Sequence, residues 1–564
     1  MRKGLQQTAP VICGLAASGL LLSLIQPPLC WSILAVLAYV PFGLACRSAV
    51  GTKRLAWMAY LVAAVYWMVN LYWIAPITIA GWIALCLYMA ILWPIMAIAL
   101  RYCASRQLPA SACLAIIVTG AERLQGFPLG GFYWRLLGHS QFLNPTIIQI
   151  ADIFGAGGVS FLLALVNGLL IEVITWRRSK ARSVTIQAAA VLLLLALAFG
   201  YGRWRLGQAT RSSRPGPIVA CLQSNVPQSV KRTFKASDQI FSELLDMGSS
   251  VAEDSDLLIW PETSVQAILD SYLWPMLDEE SAELGRRYDL ALRRQARDYK
   301  CHIMVGAYGG RVSQQPDGQW VLDRFNSAFL YRPDGTADPA RYDKIHLVLF
   351  GEYLPFKHSF HWLYRLLMQL TPYNYDYSLE PGKEHTIFAI NPAKGASGNF
   401  RLAVLICYED TIPALARRAV LDSDEHKRVD GIVNISNDGW FVRFLPDQER
   451  VRSSTELAQH LAACVFRAVE NRVCVARAVN TGISCLIDPC GRILDGGIYC
   501  SPSMPSRALS RTGVAGVVVD RMAADGRITP FSRFGQWLDN LCAVALIAII
   551  VLSRFLAKIS GKGS

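Results

Sequence analysis

Residues 402–410 read LAVLICYED, in which five apolar residues are followed by a cysteine, a tyrosine and two acids. A short apolar run that ends abruptly in polar residues predicts a buried β-strand. Cys407 stands where this strand leaves its sheet, a place from which a side chain can face a cleft. Considered alone, it is still more often a structural cysteine packed in a core. The stretch therefore predicts a strand and leaves the role of its cysteine to the rest of the chain.

Glu262 and Lys344 are the other two residues that stand out in this part of the chain. Glu262 follows the apolar run LLIW at 257–260, directly after Pro261. Lys344 enters the largely apolar stretch RYDKIHLVLFGEYLPF at 341–356. Considered alone, Glu262 is explained as a helix cap or a surface charge. Lys344 is explained as a lysine whose aliphatic part packs on apolar surface while its ammonium stays in water. Neither residue by itself indicates chemistry.

Residues 216–525 alternate β-rich runs with helical stretches, and the helical pattern is clearest at 281–299 and 455–472. This alternation predicts a layered α/β fold, in which active sites collect at the carboxyl ends of strands. The predicted strands are 218–222, 257–260, 302–308, 327–331, 402–406, 431–435, 473–478, 484–487 and 513–519.

The composition indicates that a second part of the chain lies in lipid. Of the 564 residues, 53% are hydrophobic and only 17% are charged, and the mean hydropathy is +0.31. A soluble protein of this size carries more charge. The apolar excess lies in residues 4–201 and again near the C-terminus, so that eight membrane spans are predicted at about 20 residues each. They are two within 4–46, two within 55–100, and one each near 108–120, 154–176, 184–201 and 537–556.

The basic residues predict the orientation of these spans. The turns at 26–28 and 74–78 hold no basic residue, and on that side only the 121–150 segment carries any, at Arg123 and Arg135. By the positive-inside rule both termini are then cytoplasmic, and about 205–535 is extracytoplasmic. This loop distribution also explains the net charge of +13 without nucleic-acid binding. The basic residues of the opposite side are Arg2, Lys3, Arg47, Lys53, Arg54, Arg101, Arg106, Arg177, Arg178, Lys180, Arg182, Arg554, Lys558 and Lys562.

Two further features bear on chemistry. The 15 cysteines include no CxxC pair and no Cys/His cluster at zinc spacing, so that no metal site is predicted, and no disulfide pairing can be assigned. Residues 122–145, ERLQGFPLGGFYWRLLGHSQFLNP, are too apolar for a simple solvated loop. They are either a hairpin at the membrane interface that anchors the helices, or a segment at the level of the membrane that forms the base of an acyl-chain site.

Together, Cys407, Glu262 and Lys344 have a chemical meaning that none has alone. Acyl transfer needs a nucleophile, a base and a group that stabilises an oxyanion. Cysteine, glutamate and lysine supply all three without a metal or a nucleotide. The combination predicts a thioester-forming enzyme with no cofactor.

Three segments resemble the catalytic segments of the nitrilase (carbon–nitrogen hydrolase) superfamily: WPET at 260–263, DKIHLVLFGEYLPF at 343–356 and ICYED at 406–410. Fused to many predicted spans, they resemble the apolipoprotein N-acyltransferase family. The supporting segments are NISNDGWF at 434–441, RAVENR at 467–472, NTGIS at 480–484, QSNVPQSVK at 223–231 and GFYWRLLGHSQ at 131–141.

The resemblance implies an αββα sandwich inserted between the seventh and eighth helices of an eight-helix membrane bundle. The expected domains are a seven-span domain at 1–204, an extracytoplasmic carbon–nitrogen hydrolase domain at 216–525 and a last span at 535–557. The resemblance also implies roles for single residues. Glu262 is the expected general base for Cys407, and Lys344 stabilises the oxyanion with the backbone N–H that follows the nucleophile.

Supporting roles follow from the same resemblance. Glu352 is expected to orient Lys344 or to assist the base, while Tyr408 and Glu409 line the site. Gly131 and Trp134 are assigned to support or substrate binding. The apolar stretch 346–370 is expected to form mobile flaps at the lipid surface.

The expected reaction moves a fatty acyl chain from a phospholipid, phosphatidylethanolamine above all, to Cys407 as a thioester. The chain then passes to the N-terminal amine of a diacylglyceryl-cysteine lipoprotein, as the final step of lipoprotein maturation. The expected location is a bacterial inner membrane, with a monomer whose catalytic domain faces the periplasm. Two departures from the family pattern are Arg232, where an aromatic residue is usual, and a longer segment at 442–459.

Two other functions fit parts of the sequence. A membrane-tethered hydrolase of small amides would use the same three residues but would not need seven spans with an aromatic loop. A transporter or sensor with an inactive outer domain would not need an intact triad, and its spans would carry more charge.

Overall fold

The computed structural model describes residues 2–127, 130–176, 181–228, 234–314, 318–356, 359–369, 377–396, 398–445 and 450–560. The chain forms two compact units. One combines Met1–Gln208 with Thr529–Ser564, and the other is Ala209–Ile528.

The described residues of the first unit form helices joined by turns and loops, with no β-strand among them. Its helices, numbered in chain order through the whole molecule, are α1 (Arg2–Leu24), α2 (Val40–Cys46), α3 (Thr52–Asn70), α4 (Ile79–Ala90), α5 (Leu92–Ser105), α6 (Ala110–Gln125), α7 (Pro145–Ile148), α8 (Ala151–Ile174), α9 (Ala181–Ser212), α15 (Pro530–Phe534) and α16 (Trp537–Ser560).

Among the described residues, four helical stretches are long enough and apolar enough to cross a membrane: Ile79–Ser105, Ala151–Ile174, Ala181–Ala209 and Trp537–Phe555. They coincide with the predicted fourth, sixth, seventh and eighth spans. Apolar helix also forms at Thr8–Leu24 and Ser32–Cys46, over shorter lengths. The complete set of eight crossings stays a prediction.

The predicted second span differs from a continuous helix of about 20 residues. It forms a 3₁₀ turn at Ser32–Val36 and then the short helix α2. The buried side chain of Asn167 occupies the interruption, accepting from the Tyr39 backbone N–H at 2.8 Å and donating to the Ala35 carbonyl at 2.8 Å. An amide side chain therefore supplies hydrogen-bond partners to two backbone groups where the helix is interrupted.

Small residues allow the helices of this unit to pack closely. A Cβ atom at Gly120 in α6 would lie 2.5 Å from the carbonyl oxygen of Cys542 in α16. A Cβ atom at Gly168 in α8 would lie 2.3 Å from the carbonyl oxygen of Ala110 in α6. Helices in membranes associate through such close backbone approaches, so that the C-terminal helix is an integral part of the unit.

The second unit contains two large sheets. The eight-stranded sheet has the order β15-β16-β1-β2-β4-β5-β6, with β3 paired to β4, and the six-stranded sheet has the order β14-β13-β12-β9-β8-β7. The strands of the eight-stranded sheet are β1 (Ser213–Gln223), β2 (Leu257–Ile259), β3 (Val265–Ile268), β4 (His302–Gln314), β5 (Trp320–Tyr331), β6 (Ala337–Asp343), β15 (Gly497–Tyr499) and β16 (Gly516–Asp525). Those of the six-stranded sheet are β7 (Ile387–Ile390), β8 (Phe400–Ile406), β9 (Gly431–Ser436), β12 (Cys474–Val479), β13 (Cys485–Ile487) and β14 (Ile493–Leu494).

The two sheets face each other across one apolar core. Val219 and Met304 of the first sheet pack in the same cluster as Leu402, Val433 and Ala476 of the second. A second apolar cluster lies between the first sheet and the helices α10 (Phe234–Ser249) and α11 (Glu279–Tyr299). On the second sheet, α13 (Pro413–Val420) packs on β8 and α14 (Glu456–Asn471) on β12. The layers are therefore helix, sheet, sheet, helix.

All nine strands predicted from the sequence overlap observed strands, and both predicted helices are present as α11 and α14. The sequence did not predict the short strands β3, β7, β14 and β15. Nor did it predict β6, whose polar sequence ADPARYD shows no strand pattern although the strand pairs with β5. The long segment at 442–459 contains a small antiparallel hairpin, β10 (Arg443–Leu445) with β11 (Arg450–Arg452). The helix α12 (His361–Gln369) lies in the predicted flap segment.

Candidate active site

Cys407 begins a tight turn directly after β8. Its backbone has a φ of 53°, in the left-handed region that a residue with a side chain seldom adopts. The turn continues as a 3₁₀ helix through Thr411, and the cysteine side chain is half-buried. A sharp exit of this kind raises a side chain above the edge of the sheet, as the sequence predicted.

Glu262 lies three residues after β2, with 5% of its surface exposed. One carboxylate oxygen accepts from the Asn326 side chain at 2.7 Å, and the other accepts from the backbone N–H of Asn437 at 2.8 Å. Asn437 directly follows β9, the parallel neighbour of β8. The carboxylate is therefore held at the same end of the strands as Cys407.

Lys344 follows β6 and is 1% exposed. Its ammonium lies 2.9 Å from Glu352 and 3.4 Å from Glu262. Asn326 donates to both carboxylates, at 3.0 Å to Glu352 and 2.7 Å to Glu262. One buried cation and one amide thus hold two carboxylates side by side, and the expected role of Glu352 in orienting Lys344 or assisting the base stays a prediction.

The charges of this cluster act on the thiol. Burial raises the pKa of Cys407, Glu262 adds to the rise, and Lys344 opposes it, with a net direction well upward. Although burial alone would lower the pKa of Lys344, Glu352 and Glu262 raise it well above its usual value. At neutral pH the site therefore holds a neutral thiol beside a charged ammonium. Such a thiol becomes a nucleophile only when a base removes its proton.

Glu409 is fully buried and binds protein groups with both carboxylate oxygens. It accepts from the backbone N–H groups of Ile345, His346 and Ile406 at 2.8, 3.0 and 2.8 Å, and from the Tyr342 hydroxyl at 2.8 Å. Its expected place was the lining of the site. In the structure it connects the segment that follows Lys344 to the residue that precedes Cys407, and a role in lining the site stays a prediction.

The other predicted site residues have the following surroundings. The half-buried Tyr408 stacks on His346, with ring centroids 6.0 Å apart. Trp134 belongs to the helical unit, where it is 3% exposed and packs against Phe132 and Trp73. Gly131, with φ 79°, also lies in that unit, where a Cβ atom would be 2.3 Å from the carbonyl oxygen of Gly126. Packing and turn geometry therefore account for Trp134 and Gly131, and a substrate-binding role for them stays a prediction.

One group of buried residues was not predicted as part of the site. His460 in α14 and Arg477 in β12 contact two aspartates that stand in the quoted segments, Asp410 and Asp438. The spacing of these residues along the chain carries no pattern that would have paired them. The paired polar residues at the ends of ICYED and NISND were the only available signal.

The flap segment exposes large apolar side chains in its described residues, which are Phe350, Phe356, Phe360, Trp362 and Leu366. Arg232, the first departure from the family pattern, lies outside the described residues, as do residues 446–449 of the second. No role for either departure follows from the fold.

Two family models match the chain. The one described as "Apolipoprotein N-acyltransferase N-terminal domain" covers residues 18–169, and the one described as "Carbon-nitrogen hydrolase" covers residues 218–498. The second match includes Glu262, Lys344 and Cys407.

Relatives named "Apolipoprotein N-acyltransferase" match most of the chain. The Geobacter metallireducens protein is 31% identical over 84% of this chain and 85% of its own length. The Bradyrhizobium diazoefficiens protein is 27% identical over 86% of this chain and 80% of its own length. The Rhodopseudomonas palustris protein is 26% identical over 95% of this chain and 94% of its own length. Among solved structures, an amidase from Nesterenkonia sp. aligns with 16% identity and a TM-score of 0.32, over 57% of this chain and 93% of that one.

Proposed function

This chain belongs to the apolipoprotein N-acyltransferase family, membrane acyltransferases with a carbon–nitrogen hydrolase domain, and on that premise we propose that Cys407 carries the transferred acyl chain as a thioester. The donor is a phospholipid, with phosphatidylethanolamine and its sn-1 chain as the expected source. The acceptor is the N-terminal amine of a diacylglyceryl-cysteine lipoprotein. The observation that carries the proposal is the buried contact of Lys344 with Glu262, at 3.4 Å, beside the strained turn of Cys407.

In the first half-reaction, Glu262 takes the thiol proton as the sulfur of Cys407 attacks the ester carbonyl carbon. The Lys344 ammonium and the backbone N–H of Tyr408 stabilise the negative charge on the carbonyl oxygen. The C–O bond then breaks, and the leaving alkoxide takes the proton from Glu262 as a lysophospholipid. The neutral resting thiol requires this base, and the raised pKa of Lys344 keeps the cation in place throughout.

In the second half-reaction, the α-amine of the lipoprotein attacks the thioester carbon. Glu262 accepts a proton from the amine, and the C–S bond breaks. The leaving thiolate of Cys407 takes that proton from Glu262, and the amide product leaves. A thioester suits this step because it reacts readily with amines while both substrates stay in the membrane.

The proposed setting is a bacterial inner membrane, with the domains at 1–204, 216–525 and 535–557 and with the catalytic domain on the periplasmic side. The four long apolar stretches and the basic residues between the apolar runs support this arrangement. The exposed apolar side chains of 346–369 would meet lipid, and a monomer would be sufficient for the reaction.

The test is mass spectrometry of the full-length protein after incubation with phosphatidylethanolamine. We expect an acyl adduct on the peptide that contains Cys407, with release of lysophospholipid. Transfer to a synthetic diacylglyceryl peptide should follow when that peptide is added.

Matched controls distinguish this thiol from the others. Cys407→Ala should abolish the adduct, and Cys407→Ser should at most give an ester that turns over slowly. Cys500→Ala removes an exposed thiol of the same unit and should leave the adduct unchanged. An adduct that survives in Cys407→Ala would refute the proposal. Efficient hydrolysis of a small soluble amide in the absence of lipid would favour the hydrolase function instead.

A further inference from the structure

Behind Cys407, two carboxylates and two cations alternate in a closed ring. His460 lies 2.8 Å from Asp410 through Nε2 and 3.2 Å from Asp438 through Nδ1. Arg477 lies 2.7 Å from the second oxygen of Asp410 and 3.3 Å from the second oxygen of Asp438. Each of the four residues is at most 1% exposed. Charge pairs this deeply buried are strong only when both partners stay in place.

The ring connects the two sides of the active site. Asp410 belongs to the turn that Cys407 begins. Asp438 directly follows Asn437, whose backbone N–H holds the Glu262 carboxylate at 2.8 Å. Each cation of the ring therefore links the turn of the nucleophile to the segment that holds the proposed base.

The geometry also determines the charge of the ring. Both imidazole nitrogens of His460 face carboxylate oxygens, and only the protonated imidazole donates from both. Burial and Arg477 would lower the pKa of His460, but Asp410 and Asp438 raise it well above its usual value. The neighbouring Glu456, 3.3 Å from Nδ1, has its pKa raised to about 7 by burial and by Asp438. Within the ring, the positive charges of His460 and Arg477 balance the negative charges of Asp410 and Asp438.

A metal site is the alternative interpretation of the same residues. Asp438, Glu456 and His460 place three possible ligand atoms within 4.8 Å of one another. However, the guanidinium of Arg477 already contacts Asp438, and Nε2 of the same imidazole is engaged by Asp410. Since the cluster supplies its own two cations, the contacts favour an ion-pair ring.

We propose that His460 is a positioning residue for the acyl transfer: its imidazolium fixes Cys407 relative to Glu262 and places positive charge behind the thiol. The inference rests on the proposed function of Cys407. It predicts that loss of His460 impairs turnover more than phospholipid binding, because nothing in the ring faces the lipid.

The test uses His460→Gln in the full-length protein, with kcat and KM for phosphatidylethanolamine and the pH profile of Cys407 alkylation by iodoacetamide. We expect kcat to fall by about 100-fold, since a misplaced reacting group costs that much, while KM changes little. The alkylation midpoint should move to higher pH, because the charge of His460 lowers the pKa of Cys407 and is lost in the variant, while the charges of Glu262, Lys344 and Asp438 remain.

A matched control and a milder variant complete the test. His302→Gln removes another buried histidine, at the amino end of β4, and should leave all three measurements unchanged. Ser436→Ala removes the hydroxyl that donates to Asp438 at 2.7 Å. The loss of one hydrogen bond should lower kcat about fivefold. Because the change alters no charge, the alkylation midpoint should not shift.

Three results would overturn the inference. The first is a folded His460→Gln protein with wild-type kcat and alkylation midpoint. The second, decisive even if His460→Gln does not fold, is an unchanged kcat in Ser436→Ala. The third is a wild-type activity that a chelator removes and Zn²⁺ restores, which would assign the cluster to a metal. Alkylation requires no acyl donor. If the wild-type protein transferred no acyl chain, the proposed function would be refuted, but the alkylation profiles of the wild type and of His460→Gln would still test the role of the ring.

Discussion

At the scale of single residues, Lys344 supplies the positive charge that compensates two neighbouring carboxylates. Glu262 and Glu352 both contact its ammonium, and both accept from Asn326. Removing one partner of a buried ion pair leaves an uncompensated charge, which costs more than the pair itself contributes. The same lysine should therefore matter for stability as well as for catalysis.

We predict that Lys344→Met lowers the free energy of unfolding by about 3–5 kcal/mol and abolishes acyl transfer. Adding Glu352→Gln should restore part of the stability, because it removes one of the two repelling carboxylates, but none of the activity. Thermal unfolding in detergent, combined with the acylation assay, measures both effects. A double variant no more stable than the single one would contradict this account of the cluster.

His385, which precedes β7, should make stability depend on pH. Burial lowers its pKa from 6.5 to about 4, and the charges of Arg428 and Arg418 add to the effect. The unfolded chain then binds a proton below pH 6.5 that the folded chain accepts only near pH 4. Stability contributed by this residue is therefore present above pH 6.5 and is lost as the pH falls toward 4, by up to about 3 kcal/mol.

The measurement is the unfolding free energy at pH 7 and at pH 5, for the wild type and for His385→Asn. The variant has no titrating group at this position, so that its loss of stability between the two values should be smaller. An equal loss in both proteins would show that other groups cause the acid sensitivity.

At the scale of elements, α12 presents large apolar side chains to solvent. Trp362 is 68% exposed and Leu366 49% exposed, one helical turn apart, while Tyr364 is buried on the other face. Side chains at positions i and i+4 lie on the same side of a helix. One face of α12 is therefore available to contact a lipid surface.

We predict that Trp362→Ser with Leu366→Ser raises KM for phosphatidylethanolamine in vesicles roughly tenfold, because partly buried apolar side chains of this size contribute on the order of 1–2 kcal/mol. The value of kcat should change little, since neither residue contacts Cys407, Glu262 or Lys344. Trp320→Ser is the matched control, because this tryptophan is 69% exposed on β5. Equal effects of the two sets of changes would contradict a specific lipid contact of α12.

At the scale of the whole molecule, the arrangement of the two units in a membrane is open to a direct test with thiols. Cys500 is exposed in the second unit, and Ser105 is exposed at the end of α5, in a loop predicted to be cytoplasmic. In intact spheroplasts, a membrane-impermeant maleimide should label Cys500. In a Cys500→Ala background, Ser105→Cys should be labelled only after permeabilisation. Labelling of both positions from outside would refute the proposed topology.

The sequence by itself determined the strands and the segments that carry the candidate site. Strand ends such as LAVLI-CYED and LLIW-PE are local patterns, in which a short apolar run ends abruptly in polar residues, and such patterns can be read from a single sequence. Glu262, Lys344 and Cys407 could be named before their contacts were seen because their three segments together resemble the catalytic segments of one superfamily, although each residue alone has a structural explanation. The long apolar stretches were predictable because they too are local patterns.

Only the tertiary structure decided how these residues are held. Asn326 links two carboxylates that are 90 residues apart in sequence, Glu409 joins two backbone segments, and His460 and Arg477 close a ring behind the nucleophile. In the helical unit, Asn167 fills an interruption more than 120 residues away along the chain. These partners meet because strands and helices cross over between layers. A buried polar group must find a partner somewhere, but no local periodicity records which one it finds.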